Sequence, residues 1–121
     1  MIDKSTPGLW VYPNGREVIR DTKAGRDILQ MRWNTAWQES RGICCLCDCP
    51  VHPFQASLEH KRSKGLGGAT HDDRQENLSI SHRSGNVAKD GLSLEKYREL
   101  PLEVRLSNCG VSRRHRIRVE G

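Results

Sequence analysis

Four of the five cysteines lie within six residues, and this grouping constrains the fold more than any other feature. They are Cys44, Cys45, Cys47 and Cys49. Such close spacing does not suit a disulfide framework, and the odd total argues against complete pairing. A Cys-x-x-Cys pair in a short turn is a common element of zinc sites, so the group is more typical of metal ligation than of cross-linking.

The rest of the chain offers little from which to build a core. It has 121 residues, which fit one domain, and only 35% of them are hydrophobic. The mean hydropathy is −0.73. Because so small a core rarely stabilises a domain alone, we expect a bound metal to contribute to folding.

Charge and hydropathy together limit the classes of partner that this chain is expected to bind. The chain carries 20 Lys and Arg against 15 Asp and Glu, a net charge of +5. This balance favours a polyanion, of which nucleic acid is the commonest, although a merely solvated basic surface is the alternative. No stretch approaches the roughly 20 apolar residues of a membrane span, and the N-terminus lacks the apolar run of a secretion signal. We therefore expect a cytoplasmic protein with reduced cysteines and no membrane partner.

The first third of the chain predicts a loop and then a helix. Residues 1–22 form an N-terminal loop or edge segment, with a candidate strand at Trp10 to Tyr12. Residues 23–41 predict a helix that packs on the core, started by Asp21 or Thr22. Its apolar residues recur every three or four positions: Ile28, Leu29, Trp33, Ala36 and Trp37. We interpret the two tryptophans as packing residues rather than as a base-stacking platform.

Shorter elements are predicted beyond the helix. Residues 43–60 indicate a β-hairpin closed at the cysteines, residues 61–76 a polar glycine-rich loop, and residues 77–91 one short helix. Residues 92–121 form a C-terminal helical extension and basic tail, with a helix over 93–100 and another that begins at Pro101. The four arginines of residues 112–119 suit either an arm along a nucleic-acid backbone or a solvated tail.

The motifs of residues 42–91 resemble the HNH nuclease family, whose core is a ββα-metal finger. Each piece is weak alone, and the resemblance depends on their order and spacing. It implies an α+β fold with a small ββα-metal core, a preceding N-terminal helix and short C-terminal helices. The matching motifs are Gly42-x-Cys44-x-x-Cys47, Leu58-Glu59-His60, Lys64-Gly65-Leu66-Gly67-Gly68, Asp72-Asp73, Glu76-Asn77-Leu78 and Gly85-Asn86-x-x-Lys89.

The resemblance implies a metal-dependent endonuclease that hydrolyses DNA phosphodiester bonds. His60 would be the general base, and Asn77 would brace the loop and orient His60. Glu59, where the family usually has Asp, and Asn86 would bind the catalytic ion. Hard oxygen ligands of this kind suit Mg²⁺ or Mn²⁺, and a neutral imidazole is a competent base for water. The divalent ion would neutralise charge that develops on the phosphate.

The structural zinc site implied by the resemblance is incomplete. Many family members carry a second Cys-x-x-Cys where this chain reads His82-Arg83-Ser84-Gly85, and glycine has no ligand atom. The visible set is Cys44, Cys47 and His82, one short of four. The missing ligand could come from one of the other three cysteines, Cys45, Cys49 and Cys109. Alternatively the zinc has been lost, and Cys44 and Cys47 are small buried hydrophobes.

The helix register decides a second alternative. On a continuous helix His82 and Asn86 lie four residues apart and share a face, so His82 could bind the catalytic ion instead. We favour Asn86, because Asn-x-x-Lys ends the family motif.

Basic residues near the motifs predict phosphate contacts that give affinity without sequence recognition. They are Lys61, Arg62, Lys64, Arg83 and Lys89. The nuclease could act as a monomer or a homodimer. The main alternative is a zinc-finger-like nucleic-acid-binding module without catalysis, and a degenerate relative of the family is a third possibility. The Glu59-His60 pair favours the enzyme, since a binding module needs no such pair.

Overall fold

The structure, a computed structural model, describes residues 1–62 and 72–111. In this part of the chain two small antiparallel sheets and four α-helices form a mixed α+β fold. The elements are β1 (Leu9–Val11), β2 (Glu17–Ile19), α1 (Lys23–Ser40), β3 (Ala56–His60), β4 (Leu78–His82), α2 (Arg83–Lys89), α3 (Leu94–Tyr97) and α4 (Leu102–Asn108). The Lys64–Gly68 motif and the arginines of residues 112–119 lie outside the described residues.

Helix α1 begins at Lys23 as predicted and ends at Ser40, one residue before the predicted end. Its N-cap is Thr22, whose side chain accepts a hydrogen bond from the Gly25 amide at 3.0 Å. The helix ends where Arg41 adopts a left-handed backbone with φ of 56°. Trp33 and Trp37 stack with 5.3 Å between ring centroids and pack against the buried core. Their predicted packing role is confirmed.

The predicted hairpin within residues 43–60 is wrong in its strand pairing. Ile43 and Pro50 form only an isolated bridge that closes the cysteine turn. Strand β3 pairs instead with β4, with Leu58 opposite Ile80. The turn uses its backbone groups on itself, for example Cys44 N–H to Cys49 C=O at 2.9 Å. No extended partner for β3 remains in the cysteine turn, so its partner is β4, which comes later in the chain.

One short helix is present within residues 77–91 as predicted, but the first part of this segment is strand β4. Leu78 and Ile80 are both buried, and their separation of two residues is the period of a strand. Only Arg83–Lys89 is helical, and His82 is the N-cap residue of this helix. His82 therefore does not share a helix face with Asn86.

The C-terminal helices follow the predicted pattern. Ser93 caps α3 by accepting a hydrogen bond from the Lys96 amide, and α4 begins directly after Pro101. Tyr97 and Leu106 are buried in the core, and α4 ends beside the buried Cys109. Within residues 1–62 and 72–111, no helix has both the length and the apolar character that a membrane crossing requires.

The N-terminal segment is a β-hairpin joined to the rest of the domain by backbone hydrogen bonds. Strands β1 and β2 pair antiparallel with Trp10 opposite Val18. The Asp73 N–H donates to the Glu17 carbonyl at 2.8 Å, and the Ile19 N–H donates to a carboxylate oxygen of Asp73 at 2.8 Å. The hairpin thus holds the chain that leads into β4.

Candidate functional site

Three cysteines and one histidine form a buried cluster that could hold a metal ion such as zinc. This Cys₃His cluster consists of Cys44, Cys47, His82 and Cys109, whose ligand atoms all lie within 4.8 Å of one another. The Cys44 and Cys109 sulfurs are 3.9 Å apart, and the Cys47 sulfur is 3.5 Å from His82 Nδ1. A tetrahedral ion with Zn–S bonds of about 2.3 Å sets its sulfurs about 3.8 Å apart, so the spacing fits zinc.

The fourth member of the cluster is Cys109, one of the three candidates that the sequence left open. It comes from the end of α4, and Gly85 makes room for it. A β-carbon at Gly85 would lie 2.5 Å from the Cys109 sulfur and 3.0 Å from Leu46. Cys109 therefore takes the space next to the position where the family resemblance expects a cysteine.

The other two cysteines are not part of this group among the described residues. Burial raises the pKa of Cys45 to about 12, with the charge of Glu59 adding to the effect. A thiol with so high a pKa stays protonated at neutral pH and is a poor ligand. Cys49 is buried in the core and accepts the Cys44 N–H at its carbonyl, which stabilises the turn.

Hydrogen bonds within the cluster stabilise a thiolate at Cys44. Thiol hydrogen bonds from Cys109 and Cys47 lower the pKa of Cys44, although its burial acts in the opposite direction. Its sulfur also accepts the backbone N–H groups of Leu46 and His82, each at 3.3 Å. The hydrogen bond with Cys44 raises the pKa of Cys109 to about 12. Further thiolates in this buried space need a cation, which is the charge requirement of a metal site.

A second arrangement joins His60, the last residue of β3, to Asp73. The His60 Nε2 and an Asp73 carboxylate oxygen are 2.8 Å apart, and the side chains are 26% and 4% exposed. The other Asp73 oxygen accepts the Ile19 N–H, and the Asp73 carbonyl accepts from Arg32 at 2.6 Å. Such bonds hold the carboxylate, which in turn fixes the orientation of the imidazole ring. Sequence reasoning included Asp73 in a motif but assigned it no role.

His60 and Asp73 open onto a surface cleft of about 320 Å³ between β2, β3 and the start of α1. Arg20 and Arg26 contribute cationic groups to its lining. Arg26 is 3.2 Å from the carboxylate of Asp21. The cleft therefore combines an oriented imidazole with two guanidinium groups and with the carboxylates of Asp21 and Asp73. Of the two arginines, only Arg26 is paired with Asp21 in the described part of the chain.

Asn77 joins the two chain segments that carry His60 and Asp73. Its side-chain oxygen accepts the Arg62 N–H at 2.9 Å, and its side-chain nitrogen donates to the Asp72 carbonyl at 2.8 Å. The same nitrogen donates to the Arg62 carbonyl at 3.1 Å. Asn77 is buried, so these bonds are shielded from water.

Glu59 lies on the face of β3 opposite to His60 and forms a buried ion pair. One carboxylate oxygen is 2.8 Å from the Lys89 ammonium, and the side chains of Glu59 and Lys89 are 1% and 2% exposed. The other oxygen accepts from the Ser81 hydroxyl at 3.2 Å. Burial raises the pKa of Glu59, while its bonds with Lys89 act in the opposite direction. The structure thus turns Lys89, which we expected to contact a phosphate, inward to Glu59.

Asn86 uses its amide to connect α2 to β3. Its nitrogen donates to the Ser57 hydroxyl at 2.9 Å and to the Leu58 carbonyl at 3.3 Å. While the Lys89 ammonium lies on the Glu59 carboxylate, the Glu59 and Asn86 side chains do not fit a divalent cation. The ammonium and the cation are both positively charged and would repel each other at the same carboxylate oxygen.

The basic residues that sequence analysis assigned to phosphate contacts are divided by the structure. Lys61 and Arg62 are exposed directly after His60, and Arg83 is exposed at the start of α2. Lys89 is buried, and Lys64 lies outside the described residues.

Comparisons with protein-family models, with curated proteins and with solved structures found no match to this chain.

Proposed function

We propose that this protein is an HNH-type endonuclease that hydrolyses DNA phosphodiester bonds with His60 as general base. The observation that carries the proposal is the imidazole of His60, held by the nearly buried carboxylate of Asp73 at the wall of an arginine-lined cleft. The antiparallel pair β3 and β4 followed by α2 supports it, since this is the element order of a ββα finger.

His60 has the chemistry of a base for water. When Asp73 accepts the Nε2 proton, the neutral ring carries its lone pair on Nδ1. The buried carboxylate then stabilises the imidazolium that forms when His60 takes a proton from attacking water. Arg20 and Arg26 would attract the phosphate and offset charge that develops on its oxygens.

Zinc in the Cys₃His cluster is the structural part of the proposal. Three sulfurs and one imidazole nitrogen are a zinc ligand set, and four protein ligands leave no open position for substrate. Because the cluster joins the turn after α1 to β4 and to the end of α4, the ion would hold together elements with a small apolar core.

The proposed Mg²⁺ or Mn²⁺ dependence comes from the family resemblance. When bound, such an ion would supply Lewis-acid stabilisation of the phosphate and leaving oxygen. Glu59 and Asn86 would hold it only if Lys89 left the carboxylate.

A non-catalytic nucleic-acid-binding module is the second candidate, and the Glu59–Lys89 pair favours it. A carboxylate that is already neutralised in the interior contributes to folding and leaves the expected divalent ion without its ligand. In this case the zinc cluster and the exposed basic residues would form a domain that binds nucleic acid without cleaving it.

Cleavage of supercoiled plasmid by the zinc-loaded protein distinguishes the two candidates. The reaction is run with Mg²⁺, with Mn²⁺ and without a divalent ion, and DNA binding is measured in parallel. We expect nicked or linear product that His60→Ala abolishes without loss of DNA binding. His52→Ala, at an exposed histidine outside the cleft, is the control and should cleave normally.

Two other outcomes overturn the nuclease. DNA binding without cleavage under every ion condition would establish the binding module. Equal cleavage by wild type and His60→Ala would show that His60 is not the base.

A further inference from the structure

We propose that the N-terminal hairpin binds the DNA backbone and guides it to the His60 cleft. The contact surface is the hairpin patch, consisting of Lys4, Trp10 and Arg20. This inference rests on the proposed action on DNA and extends it to residues 1–22, outside the segment that resembles a nuclease.

The cations of the hairpin patch are held by an aromatic ring. The Lys4 ammonium lies 4.4 Å from the centroid of the Trp10 ring, and the Arg20 guanidinium lies 3.8 Å from it. A cation–π contact restricts a flexible side chain and leaves its hydrogen-bond donors available. Among the described residues neither cation forms an ion pair with a carboxylate, and both side chains are exposed. The charges are therefore ordered in advance of binding a phosphate.

Position connects the hairpin patch to the proposed chemistry. Arg20 lines the same cleft as His60 and Asp73. Its neighbour Ile19 donates its N–H to the Asp73 carboxylate at 2.8 Å, so β2 holds both Arg20 and the partner of His60. A backbone that follows the hairpin patch would meet the imidazole at the end of β3.

The chemistry of the patch selects phosphate rather than base. Lys4 precedes β1 and Arg20 follows β2 directly, so the two residues supply separate positive groups, and DNA presents a negative charge at every phosphate. Because Trp10 already contacts two cations, we assign its ring to positioning them rather than to stacking on a base. The contact gives affinity and register without sequence recognition.

The test is a binding titration with the zinc-loaded protein and a labelled 20-base-pair duplex, followed by fluorescence anisotropy without Mg²⁺ or Mn²⁺. The double variant Lys4→Met, Arg20→Met removes two charges from the patch. The matched control, Arg41→Met with Lys96→Met, removes two exposed charges outside the patch. We expect the patch variant to raise the Kd at least tenfold and the control to change it less than twofold. The slope of log Kd against log salt should fall by about 1.8 for two lost phosphate contacts.

Equal weakening in the two double variants would overturn the patch, because net charge alone would then explain the effect. An unchanged Kd in the patch variant would also overturn it. Either result leaves the His60 cleavage assay intact, so failure of the patch and failure of the nuclease are distinguishable. If wild type neither binds nor cleaves DNA, both proposals are overturned.

Discussion

A side chain at Gly85 and the thiol of Cys109 cannot occupy the Cys₃His cluster together. A β-carbon at Gly85 would lie 2.5 Å from the Cys109 sulfur, a separation that requires the thiol to move. The two positions are 24 residues apart in the chain, counted from 85 to 109. Gly85 and Cys109 therefore depend on each other, and a substitution at one position limits which residues fit at the other.

This relationship predicts a ligand exchange. Cys109→Ala should lose zinc and lower the melting temperature, because a closed site needs four ligands. The double variant Gly85→Cys, Cys109→Ala should recover zinc, since the new thiol enters the space that Cys109 vacates. Zinc per chain after dialysis, with a colorimetric chelator titration, measures both.

Cys45→Ala is the control for the ligand exchange, since Cys45 lies outside the cluster and should leave the zinc content unchanged. A Cys109→Ala protein that keeps one zinc per chain would remove Cys109 from the site. Failure of the double variant to regain zinc would mean that Gly85 does not face the ligand position.

Substitution of Lys89 should destabilise the protein, because it leaves the charge of Glu59 buried without a counter-charge. We expect Lys89→Met to lower the free energy of unfolding by about 3–5 kcal/mol, as for other broken buried pairs. Lys89→Met with Glu59→Gln should recover part of this loss. Urea denaturation of the zinc-loaded proteins gives the values, with exposed Lys96→Met as the control. A loss below about 1 kcal/mol would show that the pair is solvated rather than buried.

Asp73→Asn tests whether the carboxylate acts through His60. It should lower the cleavage rate about 10²-fold or more, because the amide cannot stabilise the imidazolium. DNA affinity should remain near that of wild type. Cleavage at an unchanged rate would assign Asp73 to the fold alone.

Asp72 should make the stability of the protein depend on acid pH. Burial alone would raise the pKa of Asp72, but hydrogen bonds from Arg74 and from the Glu17 N–H outweigh it and lower the pKa. A carboxyl group whose folded pKa lies below the unfolded value adds stability above the unfolded pKa, about 4, and loses it as pH falls through the folded pKa.

Asp72→Asn should therefore destabilise the protein by about 1–3 kcal/mol at pH 7 and by less at pH 3. Urea denaturation at the two pH values measures the difference. Glu95→Gln, at an exposed helical position, is the control and should change stability little at either pH. The same loss for Asp72→Asn at both pH values would contradict the assignment of this stability to the ionised carboxylate.

Local pattern in the sequence determined the elements that depend on near neighbours. The apolar spacing in residues 23–41 predicted α1, and Pro101 marked the start of α4, because helices are stabilised over three or four residues. The cysteine turn was recognised as a potential metal element for the same reason. Where a short apolar run suited both periods, as at Leu78 and Ile80, the sequence did not separate strand from helix.

Contacts between distant parts of the chain were decided only by the tertiary structure. The fourth member of the cluster lies 65 residues from Cys44, and three cysteines were equally available for that place. His60 meets Asp73, which lies 13 residues later in the chain. Lys89 turns inward because Glu59 would otherwise be buried without a counter-charge. Metal ligation, ion pairing and burial depend on which residues pack together in three dimensions. The spacing of residues along the chain does not give those distances.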